Sequence, residues 1–171
     1  MSRFQEILKG GDLRSVGRVN EIIAGIKTRQ EFDQLFQGLN HTERTVVMRT
    51  ADAIEKITQN KAEFLQPHKA ELLKLCRRAK DIELKWHLAL LVPRLAMTMK
   101  ELEITRDLLY SWASDKGESK IVRVNSIQGL FELLAQNPGS KKDFIATVSE
   151  LKKENIPSLN ARIRKLLEAL G

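Results

Sequence analysis

The chain has 171 residues, 42% of them apolar, and carries a net charge of +7. One cysteine excludes an internal disulfide framework, no apolar run reaches the ~18 residues of a membrane span, and only 9 Gly and 4 Pro argue against wholesale disorder. Leu outnumbers Val 24 to 8 and aromatics make up 5%, a composition that favours helices over a β-sandwich or barrel.

In chain order, the apolar periodicity and its punctuation predict helices over 3–9, 13–27, 29–38, 43–59, 67–79, 82–97, 99–113, 120–136, 141–154 and 158–169. The first places Phe4, Ile7 and Leu8 on one face, and Gly10-Gly11 ends it. The opening stretch does not read as a secretory signal, because Glu6 and Lys9 interrupt any apolar core. Four later starts share a cap-x-x-acid pattern: Thr28 with Glu31, Asn60 with Glu63, Thr98 with Glu101, and Ser140 with Asp143. There the cap oxygen can accept from a free backbone N–H while the acid reaches back. Gly38 suits a left-handed position after a helix. Pro67 fits a first helical turn, whereas Pro93 inside an apolar helix predicts a kink. Asp115–Ser119 and Asn137–Ser140 read as turns, and Ser158 after Pro157 as a further cap. No linker divides the chain, so 1–171 is expected to be a single domain.

The isolated chemistry-bearing residues favour packing. Cys76 lies in an apolar stripe with Leu72 and Leu73, and His41, His68 and His87 are scattered without a metal-ligand spacing. No cofactor or metal is expected. Phosphate-binding and nucleophile motifs are absent from the sequence. Tyr110 and Trp112 are expected to pack between helices. With one cysteine and no secretory signal, a reducing cytoplasm is the expected setting.

Alternate helices superpose. With Arg18, Arg49, Lys85, Arg123 and Arg162 as origin, the spacings are 31, 36, 38 and 39 residues. Four positions on stand Ile22, Ala53, Ala89, Ile127 and Leu166; eight on stand Ile26, Ile57, Pro93, Phe131 and Leu170. Five on, Gln128 alone departs from an apolar set. Offsets of 4, 5 and 8 fall on one helical stripe. A period of 35–40 residues with two helices per unit is the signature of a solenoid.

The pattern resembles HEAT-like (armadillo-like) helical repeats, with Val46–Ile57 and Ile121–Leu134 similar to the second helix of such a unit. Lys85 in place of Arg, the bulky Trp86-His87 pair and Pro93 depart from the pattern. The resemblance implies an all-α superhelix of about five helical hairpins, whose second helices line a concave face. It also implies a non-catalytic interaction or scaffold module. An acidic protein partner would suit the isoelectric point near 9.6.

Candidate partner-binding residues on that face are Arg49, Lys85, Trp86, His87, Arg123, Asn125, Gln128 and Arg162. The recurring cations fit two uses: binding phosphate backbones, or bridging acids and carbonyls of the adjacent unit, as such an arginine commonly does in HEAT-like units. Trp86 fits either a recognition spot or a packed core ring. The alternative function is nucleic-acid binding by a relative of the HEAT-like alkylation-repair DNA glycosylases. Those enzymes use paired tryptophans and a carboxylate, whereas here Trp86 is followed by His87, with Asp81 and Glu83 the nearest acids. An enzyme built on Trp86, His87 and Asp81 is the third reading.

Overall fold

A computed structural model describes Phe4, Leu8, Lys9 and residues 17–171, with Arg18 described in its backbone alone. Most of the expected 3–9 helix, the Gly10-Gly11 break, the start of the 13–27 helix and the Arg18 side chain lie outside the described residues. Within them the chain is all-helical and contains no strand. The helices are α1 (Gly17–Gly25), α2 (Arg29–Phe36), α3 (Arg44–Thr58), α4 (Lys69–Arg78), α5 (Ile82–Leu91), α6 (Met99–Ser114), α7 (Lys120–Glu132), α8 (Lys141–Lys152) and α9 (Pro157–Ala169). Short 3-10 turns cover Gln37–Asn40, Ala62–Phe64, Gln66–His68, Val92–Arg94, Leu133–Ala135 and Pro138–Ser140. No helix among the described residues is long and apolar enough to cross a membrane. The chain forms two compact units, 1–68 and 69–171.

Two of the four expected capping boxes form. At Thr28 and at Thr98 the hydroxyl accepts from the N–H of Glu31 and Glu101, and each glutamate returns to the cap N–H. After Asn60 a 3-10 turn, Ala62–Phe64, stands in place of a helix start; Ser140 occupies the N-cap position of α8 but closes the 3-10 turn Pro138–Ser140, and its hydroxyl donates to Asn137 O at 2.8 Å instead of capping. Ser119 caps α7 without an acid partner, accepting from the Val122 N–H. Ser158 is not a cap: Pro157 is itself the first residue of α9, and Asn155 ahead of it takes the left-handed conformation at φ 54°. Gly38 does not have a positive φ. It is small because of packing, since a Cβ there would stand 2.3 Å from Thr50 Oγ1.

In the first unit α3 packs against α1, α2 and the 37–40 turn. Val46, Ala53 and Ile54 of α3 are fully buried, as are Phe32 and Phe36 of α2. His68 stacks on Phe36 with ring centroids 3.9 Å apart, and its Nε2 lies 2.6 Å from Asp33 Oδ1.

In the second unit α7 is the common element, packed against α5, α6, α9 and α8. Its contact with α5 is a backbone approach. A Cβ on Gly129 would lie 2.5 Å from the Ala89 carbonyl oxygen and 3.0 Å from Leu109. Pro93 does not kink a long helix; it ends α5, and a 3-10 turn follows. The carbonyls this leaves are met from α7's end. The Gln136 amide donates to Pro93 O (3.1 Å) and Leu95 O (2.8 Å), and its Oε1 accepts from Met97 N (3.1 Å).

Gly129→Ala therefore sets a helix-propensity gain of about 1 kcal/mol against an overpacking cost near 3 kcal/mol, because the obstacle is backbone and cannot rotate away. A net loss of about 2 kcal/mol is expected in urea unfolding. Gly38→Ala is expected to lose less, since the Thr50 side chain it meets can turn.

Candidate functional site

The residues expected to meet a partner fall into two groups. Arg49 is 3% exposed and donates from Nη1 to the Leu8 carbonyl oxygen at 2.7 Å. Arg123 is 2% exposed; its Nε donates to Ala113 O (2.8 Å) and its Nη2 to Glu154 Oε1 (2.9 Å). Asn125 is buried and donates to the Trp86 carbonyl at 3.3 Å. His87 is buried with its ring against Trp86, centroids 3.5 Å apart. These four turn into the fold. Lys85, Trp86, Gln128 and Arg162 are half-buried.

In the second unit the cations follow a rule. Lys85, in the first turns of α5, pairs with Glu118 in the turn that leads into α7. Arg123, in the first turns of α7, pairs with Glu154 in the turn that leads into α9. Each cation near the start of its helix reaches the acid just before the next helix but one. Lys85 also lies over the Trp112 ring, 5.7 Å from its centroid. One further link joins α9 to α7, where Arg162 Nη1 donates to Gln128 Oε1 at 2.6 Å.

Four neighbours close most of α7, so one stripe is left open. Ile121 is 47% exposed there, with Val124 and Gln128 half-exposed behind it. The Asn125 amide, donating to the Trp86 carbonyl, ties α7 to α5. Ile82 is 42% exposed and Trp86 half-exposed. On α9 the exposed positions include Ala161, Arg164 and Lys165. The exposed isoleucines escape notice in the sequence because they read as core.

Groups able to do bond chemistry are held inactive or apart. Burial pushes the Cys76 thiol up to about 12, so it stays protonated at neutral pH. Asp81 is exposed at the N-cap of α5, while His87 is buried. Among the described residues no three of His, Cys, Asp and Glu gather as metal ligands would. Trp112 is buried as expected, but Tyr110 is 49% exposed and does not pack between helices.

Compared with known proteins, the chain matches no protein-family profile, no curated protein and no solved structure.

The Arg123 hydrogen bond holds the Glu154 carboxyl below its ordinary value of 4.5. A depressed carboxyl stabilises the fold fully above its unfolded value and loses that contribution as pH falls through the folded one. Arg123→Met is expected to cost about 2–3 kcal/mol at neutral pH, since it strips a charged partner from Glu154 and a donor from Ala113. Glu154→Gln is expected to cost about 1 kcal/mol and to flatten the loss of stability between about pH 5 and pH 3. Urea unfolding across that range measures both.

Proposed function

We propose that the chain is a HEAT-like helical-repeat protein that acts in the cytoplasm as a non-catalytic interaction module. The repeated link from the start of one second helix to the acid before the next supports the repeat reading, because it joins successive hairpins by the same device. So does the burial of every residue four positions beyond the origin: Ile22, Ala53, Ala89, Ile127 and Leu166.

The observation that carries the binding role is the exposure of Ile82 and Ile121, large apolar side chains near the starts of α5 and α7, two helices that pack against each other. A partner segment would cover them with apolar residues. Its acidic residues would meet Arg164 and Lys165, so shape and charge complementarity supply the binding without bond chemistry. Trp86, half-exposed between the isoleucines and the α5 core, is the aromatic anchor of this surface. Arg49 and Arg123 serve the fold, and Lys85, Gln128 and Arg162 hold the hairpins in register.

The net charge of +7 keeps nucleic-acid binding as the second reading, now resting on exposed cations such as Arg164 and Lys165. Fluorescence anisotropy separates the two, with a labelled acidic Leu-rich helical peptide and a labelled generic duplex titrated at about 50 and 200 mM salt. The peptide is expected to bind, to bind more weakly at the higher salt, and to lose at least about tenfold in affinity with Ile121→Asp or Trp86→Ala, or about 1.4 kcal/mol. Asp at that position in the first turn of α7 suits the helix dipole, so the melting temperature should hold. Duplex binding with a steep salt slope and no peptide binding would replace the protein-partner reading with the nucleic-acid one.

A further inference from the structure

A second surface lies on the other helices of the second unit and has the opposite chemistry. Between α6 and α8 runs a groove, deepest in a cavity of about 240 Å³. An apolar cavity of about 150 Å³ already holds a benzene ring, so this one takes a bulky side chain with room to spare. Leu102, Leu133, Leu134 and Phe144 form its walls, with Leu133 and Phe144 buried beneath. Charged groups gather at its mouth. Glu103, Asp107 and Asp143 line it, set against the single cation Arg106, whose guanidinium is held by Asp107 at 3.1 Å. The mouth is therefore acidic on a chain that is basic overall.

The groove continues past Tyr110 and Thr147, residues shared with a second, shallower hollow beside Lys116 and Lys153. There the acidic excess ends: Lys153 pairs with Glu150 at 2.6 Å and Glu154 belongs to Arg123, which leaves Lys116 over. From Leu102 to Ser114 the groove follows about 18 Å of α6 at 1.5 Å per residue. About six residues of extended chain span that length.

We propose that the α6/α8 groove binds a short extended segment of a partner protein, seating one bulky apolar side chain in the cavity with a Lys or Arg beside it. Charge complementarity selects the cation: once Arg106 is set against Asp107, the carboxylates of Glu103 and Asp143 remain in excess. The elongated groove and the half-exposed Tyr110 at its midpoint favour a chain segment over a compact small molecule. This surface is separate from the α5, α7 and α9 stripes, and its occupant has the reverse charge.

A random heptapeptide library displayed on phage tests the proposal, selected against the full chain. The expected consensus is an apolar residue next to Lys or Arg. A synthetic peptide of that consensus should lose at least about tenfold in affinity for Thr147→Trp, which fills the groove from a half-exposed position, and several-fold for Asp107→Asn with Asp143→Asn. Melting temperatures should match that of the parent. Ile121→Asp should leave this binding unchanged, so failure here and failure of the other surface can be told apart. The proposal is overturned by an acidic or uncharged consensus, by no enrichment, or by a selected peptide that binds the Thr147→Trp protein as well as the parent.

Discussion

At Gly129 the backbone of α7 runs against the carbonyl of Ala89 with no side chain between them. That approach brings α5 and α7 close enough for Asn125 to reach the Trp86 carbonyl and for Ile127 and Ala89 to be fully buried. It also seats Pro93 under α7, 3.4 Å from a Cβ at Gly129. The proline ends α5 there, and the Gln136 amide satisfies the strand-like stretch that follows. A larger residue at 129 would separate the helices and strand each of these partners together. Because α7 also contacts α6, α8 and α9, one glycine sets the spacing of most of the second unit.

Polar links then fix the register that apolar burial leaves loose. Dispersion and hydrophobic burial hardly distinguish neighbouring registers of two helices that are apolar on several sides, as α5 and α7 are. A buried guanidinium is more exacting, because it loses free energy wherever its donors go unmet. Arg123 meets a carbonyl at the end of α6 and a carboxylate beyond α8, and so ties three helices to one arrangement. Lys85 makes the corresponding link one hairpin earlier with a less demanding group, and the Trp112 ring completes its surroundings. The departure from Arg to Lys in the sequence preserves the link.

Much of this was legible in the sequence where the determinant is local. The Thr28 and Thr98 boxes depend on residues three apart, and both form. The stripe four positions past each origin depends on helical period alone, and it is buried throughout. Features decided by distant partners were not legible. Asn60 and Ser140 carry the same local signal as the working caps, but the chain forms a 3-10 turn just after the first and up to the second. Whether Pro93 kinks or ends its helix was settled by Gln136, more than forty residues away. The direction of each ladder cation was hidden too, since a period shows that a residue recurs and not whether it points in or out. Tyr110 and the acids beside it had no signal of their own, because the groove they line exists only once α6 and α8 are placed.

The same division sorts the charges of the second unit by task. Lys85 and Arg123 recur at the repeat spacing, and each is matched by its own acid, so they add little to the field outside. The excess positive charge felt by a partner must come from cations off that register, such as Arg164 and Lys165 on the exposed side of α9. Acids off the register, Glu103, Asp107 and Asp143, gather instead around the groove between α6 and α8. On the proposed reading, the periodic charges carry stability and the aperiodic ones recognition. If the chain is the repeat protein proposed above, each unit must hold its neighbours the same way each time, while a surface that selects partners gains specificity only where the units differ.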